Sequence, residues 1–325
     1  MEIVPVKNKV SISLWRNIMI KTITSANLPV DETYEIQKNH LVLGNGKKRI
    51  CIVTGTHGDE LEGQYVCFEL QKIIEKQHDL FDGIIDIYPA INPLGLESMT
   101  RKVPFFDLDM NRIFPGDKEG SLVEYVAYQI IQDLKGADLV VDIHASNVYL
   151  KEIPQIRINE TQSAGLIELA KQMNVDFIWE HSASTVLEST LAYSLNDIKT
   201  PTLVVEMGVG LRITKNYGNQ LIAGLLNVMK YLGMYHGETV CKEPMISTDK
   251  NVFFLNAKEA GLFLPTIAHD YHVQKGQKIG EIVNPLTGEV EEEVCSPCTG
   301  LVFTLREYPL VNKGSLLGRI LENQK

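Results

Sequence analysis

Along the first two thirds of the chain, apolar residues gather in short uninterrupted runs, and the stretches between them carry helical spacing. The first clear run, Ile50-Cys51-Ile52-Val53, ends at Thr54-Gly55-Thr56-His57-Gly58. Behind it, the stretch from Gln64 to Glu75 sets Val66, Leu70, Ile73 and Ile74 near one face of a helix. Further apolar runs lie at Ile84 to Tyr88, Leu139 to Ile143 and Thr202 to Val205, bounded by Gly, Pro or Asp. A strand covered on both faces meets no water on either, so near-continuous apolar runs predict buried parallel strands. Ser121 followed by Glu124 predicts a capping box, after which Val123, Val126, Ile130, Ile131 and Leu134 keep helical spacing until Gly136 stops the helix. Helices are also predicted over Ser163 to Met173 and Leu221 to Leu232. The expected fold class is α/β, a mixed sheet flanked by helices.

After about Tyr235 the texture changes to short β-type runs separated by Gly, Pro and Asn. This predicts a small all-β unit, and it contains a repeat. GLFLPTIAHDYHVQKGQKIGEI from Gly261 resembles GLVFTLREYPLVNKGSLLGRI from Gly300, and both halves carry Lys-Gly-x-x-x-Gly, at Lys275/Gly276/Gly280 and Lys313/Gly314/Gly318. Two related halves suggest a pseudo-twofold sandwich or barrel similar to a biotinyl/lipoyl-type domain. Such carriers present a modifiable lysine between the halves, yet Ile279 to Asn312 contains none, which disfavours a carrier role. The chain therefore divides into a lead-in, strand-like or a short helix, over residues 1–25, an α/β domain over 26–240 and a β domain over 241–325.

Composition narrows the partners. The chain has 325 residues, 44% of them hydrophobic and 22% charged, which are globular values. A net charge of -10 works against binding nucleic acid, where phosphates need clustered Lys and Arg. The longest uncharged run, Asn216 to Met229, is shorter than the roughly 18 to 20 apolar residues of a membrane span. Five cysteines are an odd number and too sparse for a disulfide framework, and the first residues, MEIVPVKNKV, lack a leader's apolar stretch. A cytoplasmic protein with a small-molecule site is expected, with no nucleic-acid or membrane partner and with homo-oligomerisation left open on general grounds.

The sharpest candidate chemistry is His57-Gly58-Asp59-Glu60, an H-x-x-E where the first strong strand ends. Its imidazole and carboxylate can converge on one metal, or the pair can be a solvated loop histidine beside a helix-start carboxylate. His144, in Asp142-Ile143-His144-Ala145-Ser146, also follows a buried-looking strand. Ligands of open α/β sheets bind beyond the carboxyl ends of strands, so these residues can meet there. Two histidines and one glutamate make a zinc site with an open fourth position. Asp142 is a candidate to orient an imidazole, although alternation along the strand can equally point it elsewhere. Glu206, after Val204-Val205, is either a turn residue or a general base for water at the metal. Arg101 and Asp107-Leu108-Asp109-Met110-Asn111-Arg112 form a cationic cluster suited to carboxylates and oxyanions, although Arg112 can equally pair with Asp107 or Asp109.

Taken together, these residues resemble the zinc carboxypeptidase superfamily and, within it, the aspartoacylase and succinylglutamate desuccinylase branch. The matching signatures are G-x-H-G-D-E from Gly55 to Glu60, N-P-x-G from Asn92 followed by Arg101, and D-x-N-R-x-F-P-G from Asp109 to Gly116. D-I-H from Asp142 and V-E-M-G from Val205 complete the set, in the family's order. The resemblance implies a zinc-carboxypeptidase-like fold and one Zn2+ per chain held by His57, Glu60 and His144. It also implies catalysis by Glu206, carbonyl polarisation by Arg101 and capture of a free carboxylate by Asn111 and Arg112. The implied activity is zinc-dependent cleavage of a small N-acyl amino acid. After the third ligand this chain reads Ala145-Ser146-Asn147 where aspartoacylase has N-T-T, so the pocket wall differs and the nearer likeness is to bacterial proteins similar to N-acetyl-diaminobutyrate deacetylase.

Arg157, Arg212 and Tyr271 match the remaining substrate-reading residues of aspartoacylase by composition alone, and surface salt bridges or core packing are expected for each. Cys295-x-x-Cys298 reads as a turn with two buried thiols, His269 and His272 have no acidic partner at ligand spacing, and His181 reads as a loop histidine, with a place in the pocket lining as the alternative. A carboxypeptidase acting on short peptides would use the same motifs and stands as the alternative. A non-catalytic scaffold is disfavoured because every ligand and the base are present.

Overall fold

The apolar runs become the centre of a mixed sheet in the computed structural model, which describes residues 18–182 and 188–323. Residues 1–17 of the expected lead-in lie outside that range. The chain runs β1 (Ile18–Asn27), β2 (Thr33–Leu43), β3 (Arg49–Thr54), α1 (Glu62–Lys76), β4 (Gly83–Tyr88), α2 (Pro93–Ser98) and α3 (Leu122–Leu134). It continues through β5 (Leu139–Ala145), β6 (Leu150–Asn159), α4 (Leu166–Lys171), β7 (Phe177–His181), α5 (Leu191–Asp197), β8 (Thr202–Gly208) and α6 (Lys215–Tyr231). Strand order is β1-β2-β4-β3-β5-β8-β6, with β4, β3, β5 and β8 parallel and the others of this series antiparallel to their neighbours.

The connections explain where a site can form. From β3 the chain crosses through α1 to β4 on one side, then returns through α3 to β5 on the other side of β3. The two crossovers cover opposite faces. Val66 and Leu70 of α1 pack with α4 and α6 over Ile50, Ile52, Val141 and Val205. Val123, Val126 and Ile130 of α3 pack with Leu191 and Leu195 of α5 over Cys51, Val53 and Val140. A crevice opens where the winding reverses, at the carboxyl ends of β3 and β5.

The four predicted strands and the capping box are present, with the Glu124 carboxylate accepting from the Ser121 amide at 2.8 Å. The helix predicted over Ser163 to Met173 is shorter because Gly165, at φ 83, precedes its first turn. The predicted break at residue 25 falls inside β1, which pairs with β2 along its length. These strands lie toward one edge, and β2 alternates exposed and buried positions, with Lys38 buried among Asp86 and Asp133. That edge pattern differs from the continuous apolar runs of the central strands.

Beyond α6, β9 (Met245–Thr248) pairs with β7, and the all-β unit follows. Its strands are β10 (Val252–Asn256), β11 (Gly261–Pro265), β12 (Tyr271–Val273), β13 (Lys278–Val283), β14 (Val290–Cys295), β15 (Gly300–Arg306), β16 (Leu310–Val311) and β17 (Leu316–Glu322). The sequence repeat is a structural one that exchanges strands. β10 pairs with β17 and β14 with β13, while β11 pairs with β16 and β15 with β12. Gly276 at φ 80 and Gly314 at φ 86 take the same left-handed position in the two halves, a conformation that favours glycine. β15 also pairs with β6, and Val252, Leu301, Phe303 and Leu321 bury against Ile153, Phe177 and Trp179. The β unit thus extends the larger sheet. Among the described residues no helix is long and apolar enough to cross a membrane.

Candidate active site and metal centre

His57 follows β3, and His144 and Glu206 lie near the ends of β5 and β8, so parallel pairing delivers all three to the crevice. Glu60 completes the turn after His57. That turn packs closely on α2: the Gly58 amide donates to the Thr100 carbonyl at 2.9 Å, and a Cβ on Gly58 would overlap the Gly95 backbone. The glycines of H-G-D-E and N-P-x-G are therefore the contact between two motifs.

The imidazoles turn the same atom inward. His57 Nδ1 lies 2.7 Å from Glu60 Oε1 and His144 Nδ1 2.9 Å from Glu60 Oε2, and the rings are 5.1 Å apart. Among the described residues these three form the cluster able to hold a metal ion, with ligand atoms within 4.8 Å of one another, and all are buried. Each outer nitrogen meets a carboxylate: His57 Nε2 lies 3.1 Å from Asp109 Oδ1 and His144 Nε2 3.1 Å from Asp142 Oδ2. Asp142 reaches its imidazole because residues two apart on a strand share a face. Such backing orients ligating imidazoles and raises their basicity.

The electrostatics favour a cation at the centre. Burial pulls the His57 and His144 imidazoles toward the neutral form, but Glu60, Asp109 and Asp142 hold both above their ordinary value. Burial acts oppositely on Glu60, and the imidazoles hold its carboxyl well below the usual range. A buried donor set of two imidazoles and one carboxylate fits a zinc-type ion.

Glu206 stands beside this cluster, its backbone paired with His144 on β5 and Gln155 on β6. Burial pushes its carboxyl above the ordinary value, while Arg157, whose Nη1 donates to Oε1 at 3.2 Å, pulls the other way. Arg157 thus lies in the pocket wall, instead of forming the expected surface bridge or core packing. Its other arm reaches Glu152 at 2.7 Å, and Arg319 of β17 closes on the same carboxylate. Neither Glu152 nor Arg319 belongs to a recognisable motif. The signal that could have found Arg319 is a single charge inside the apolar run Leu316 to Leu321.

Arg101 donates to Asp109 at 3.1 Å and to Glu60 at 3.3 Å. Asp109 therefore ties an arginine to a histidine, a role its sequence neighbourhood did not reveal. The Asn111 carbonyl oxygen accepts from the Leu191 amide at 3.0 Å, so the side chain offers its NH2 group as donor. Arg112 donates to the Asn111 backbone carbonyl at 2.7 Å and, among the described residues, forms no ion pair, because Asp107 holds Lys102 and Asp109 holds His57 and Arg101. The ion pair weighed for Arg112 with Asp107 or Asp109 is absent there.

These residues line one cavity of ≈ 460 Å³, completed by Ser146, Asn147, Leu150 and Thr190. Arg212 and Tyr271 are exposed and do not line it. His181 is buried at the end of β7, 5.0 Å from the Trp179 ring, rather than in a loop. His269 meets the Tyr217 hydroxyl at 3.1 Å, and both Cys295 and Cys298 are free thiols.

Residues 46–232 match the family described as the succinylglutamate desuccinylase/aspartoacylase catalytic domain. An N-alpha-acetyl-L-2,4-diaminobutyric acid deacetylase from Halomonas elongata is 25% identical over 295 residues, covering 86% of this chain and 84% of that protein. The product-bound ectoine utilization protein EutE (DoeB) from Ruegeria pomeroyi superposes with a TM-score of 0.81 at 22% identity, covering 94% of this chain and 95% of that one. A succinylglutamate desuccinylase/aspartoacylase from Rhodobacter sphaeroides gives 0.78 at 22% identity, covering 95% and 97%.

Proposed function

The chain belongs to the succinylglutamate desuccinylase/aspartoacylase family, hydrolases acting on amide bonds, and we propose that it is a zinc-dependent deacylase of a small N-acyl amino acid or related N-acyl amine. The observation that carries this reading is the convergence of His57, Glu60 and His144 on one point, with Glu206 in the same cavity. Residues 26–240 carry the chemistry in this reading, and residues 241–325 form the β domain.

Zinc, one ion per chain, supplies a Lewis acid for the acyl carbonyl and lowers the pKa of a water when bound. Glu206 takes the proton of the attacking water and returns it to the nitrogen of the departing amine as the carbon–nitrogen bond breaks. Burial raises its proton affinity, the direction that helps it hold the proton between the two transfers. Arg101 directs its guanidinium to the carbonyl oxygen as negative charge develops there. The Asn111 amide and the Arg112 guanidinium hold the substrate's free carboxylate beside the scissile bond. Because Arg112 pairs with no carboxylate among the described residues, it is available for that of a ligand.

The cavity is large enough for an acylated amino acid. The Halomonas elongata deacetylase makes acetylated diamino acids the first compounds to try. The test is mass-spectrometric hydrolysis of pooled N-acetyl, N-succinyl and N-formyl amino acids with short peptides, by zinc-loaded protein and its Glu206→Gln variant. Loss of one N-acyl compound, absent in the variant, is the expected result. Cleavage confined to peptides would make the protein a carboxypeptidase.

A further inference from the structure

Arg319 lies far along the chain from every catalytic motif, yet its side chain is only 15% exposed and lines the active-site cavity. Its guanidinium donates to Glu152 Oε1, which also accepts from the Thr304 hydroxyl at 3.2 Å. Glu152 Oε2 takes Arg157 Nη2 at 2.7 Å, and Arg157 Nη1 reaches Glu206 Oε1 at 3.2 Å. Four side chains thus alternate in charge from the β unit to Glu206: Arg319, Glu152, Arg157, Glu206. Both guanidinium groups also pack near the Trp179 ring, at 5.7 Å for Arg157 and 5.8 Å for Arg319, and Arg319 lies 5.5 Å from Phe254.

The order of charges has a physical consequence. Glu152 is 1% exposed, and a carboxylate that deep must be compensated by its neighbours. With Arg319 and Thr304 satisfying one oxygen, Glu152 needs only one arm of Arg157, and the second arm is left for Glu206. Without Arg319, Glu152 keeps only the neutral Thr304 hydroxyl and Arg157, and draws in Arg157 as its one remaining counter-charge. Glu206 then loses its one side-chain hydrogen-bond donor among the described residues.

We propose that Arg319 and Glu152 are positioning residues for Glu206, acting through Arg157, so that the C-terminal β unit completes the catalytic site. The inference rests on the reading of Glu206 as the proton carrier. Thr304, on β15, belongs to the same device, so two strands of the β unit take part.

The experiment uses the full-length zinc-loaded protein and the compound it cleaves best in the pooled panel. For Arg319→Met, kcat should fall by about tenfold or more with KM within about twofold, since orientation at the reacting centre is lost and substrate contacts are kept. Arg319→Lys, which retains the charge, should recover much of the loss, and Glu152→Gln should resemble Arg319→Met. A crystal structure of Arg319→Met should show Arg157 withdrawn from Glu206, a readout independent of activity. Should that variant not fold, Glu152→Gln and Arg319→Lys carry the same comparison. Parental kcat in Arg319→Met or Glu152→Gln, or Arg157 still bonded to Glu206 in the crystal, would overturn the inference. Glu206→Gln assayed alongside separates the two levels: full activity there sinks the proton-carrier reading itself, whereas an inactive Glu206→Gln beside a fully active Arg319→Met sinks only the positioning role.

Discussion

Asp109 Oδ1 stands 3.1 Å from His57 Nε2, while its second oxygen accepts from Arg101 Nε at the same distance. One carboxylate therefore fixes the tautomer of a candidate metal ligand and the direction of a candidate oxyanion donor. Replacing Asp109 with Asn should weaken zinc binding by about 10- to 100-fold, the usual effect of removing an orienting carboxylate. Competition with a chelating dye measures this, and unchanged affinity would separate Asp109 from the metal centre.

Metal removal should abolish hydrolysis without unfolding the chain. The ligands sit at strand ends, whereas the cores on both sheet faces are closed by apolar side chains alone. Chelation should leave the circular dichroism spectrum intact and lower Tm by several degrees, through loss of binding free energy. Added zinc should restore activity, and a protein that unfolds on chelation would show the metal to be structural.

Arg112 forms no ion pair among the described residues and stands at the cavity wall. Arg112→Met should raise KM by about 10- to 100-fold and change kcat little, the pattern of a binding contact shared by ground state and transition state. Steady-state kinetics on substrates with and without a free α-carboxylate should show the effect only where the carboxylate is present.

Asp86 is fully buried and meets Lys38 at 3.1 Å, His40 at 2.6 Å and Arg49 at 2.8 Å. Burial would raise its pKa, but these partners hold it below the ordinary value of 3.8. A folded-state value below the unfolded one means that its contribution is complete above the unfolded pKa and fades as pH falls through the folded one. Asp86→Asn should cost about 3 kcal/mol or less near pH 7, the low end for a broken buried pair, because Lys38 and Arg49 lose one counter-charge while Lys38 keeps Asp133 at 2.6 Å. That difference should shrink once pH drops below about 4, and urea unfolding across the range checks it; a pH-independent difference would contradict the assignment.

Much of this was written in the order of residues. Apolar runs at β3, β4, β5 and β8 are legible because a strand buried on both faces favours apolar side chains at successive positions. The candidate ligands His57, Glu60 and His144, and Glu206 with them, could be singled out because they lie at or near strand ends, where α/β sheets collect their chemistry. Asp142 was legible through its spacing from His144. The two halves of the β unit were visible as a repeat, down to the matching glycines.

Tertiary structure decided the rest. Arg157, Glu152 and Arg319 come from two distant stretches, and no local motif marked them as partners until β15 docked on β6. Asp109 and Arg112 lie three residues apart and looked like partners, yet the fold turned one toward His57 and left the other without an ion pair among the described residues. A local pattern reports which face of an element is buried, because periodicity is a property of one segment. Which charges neutralise each other inside depends on distances between segments, and those exist only once the sheet has closed.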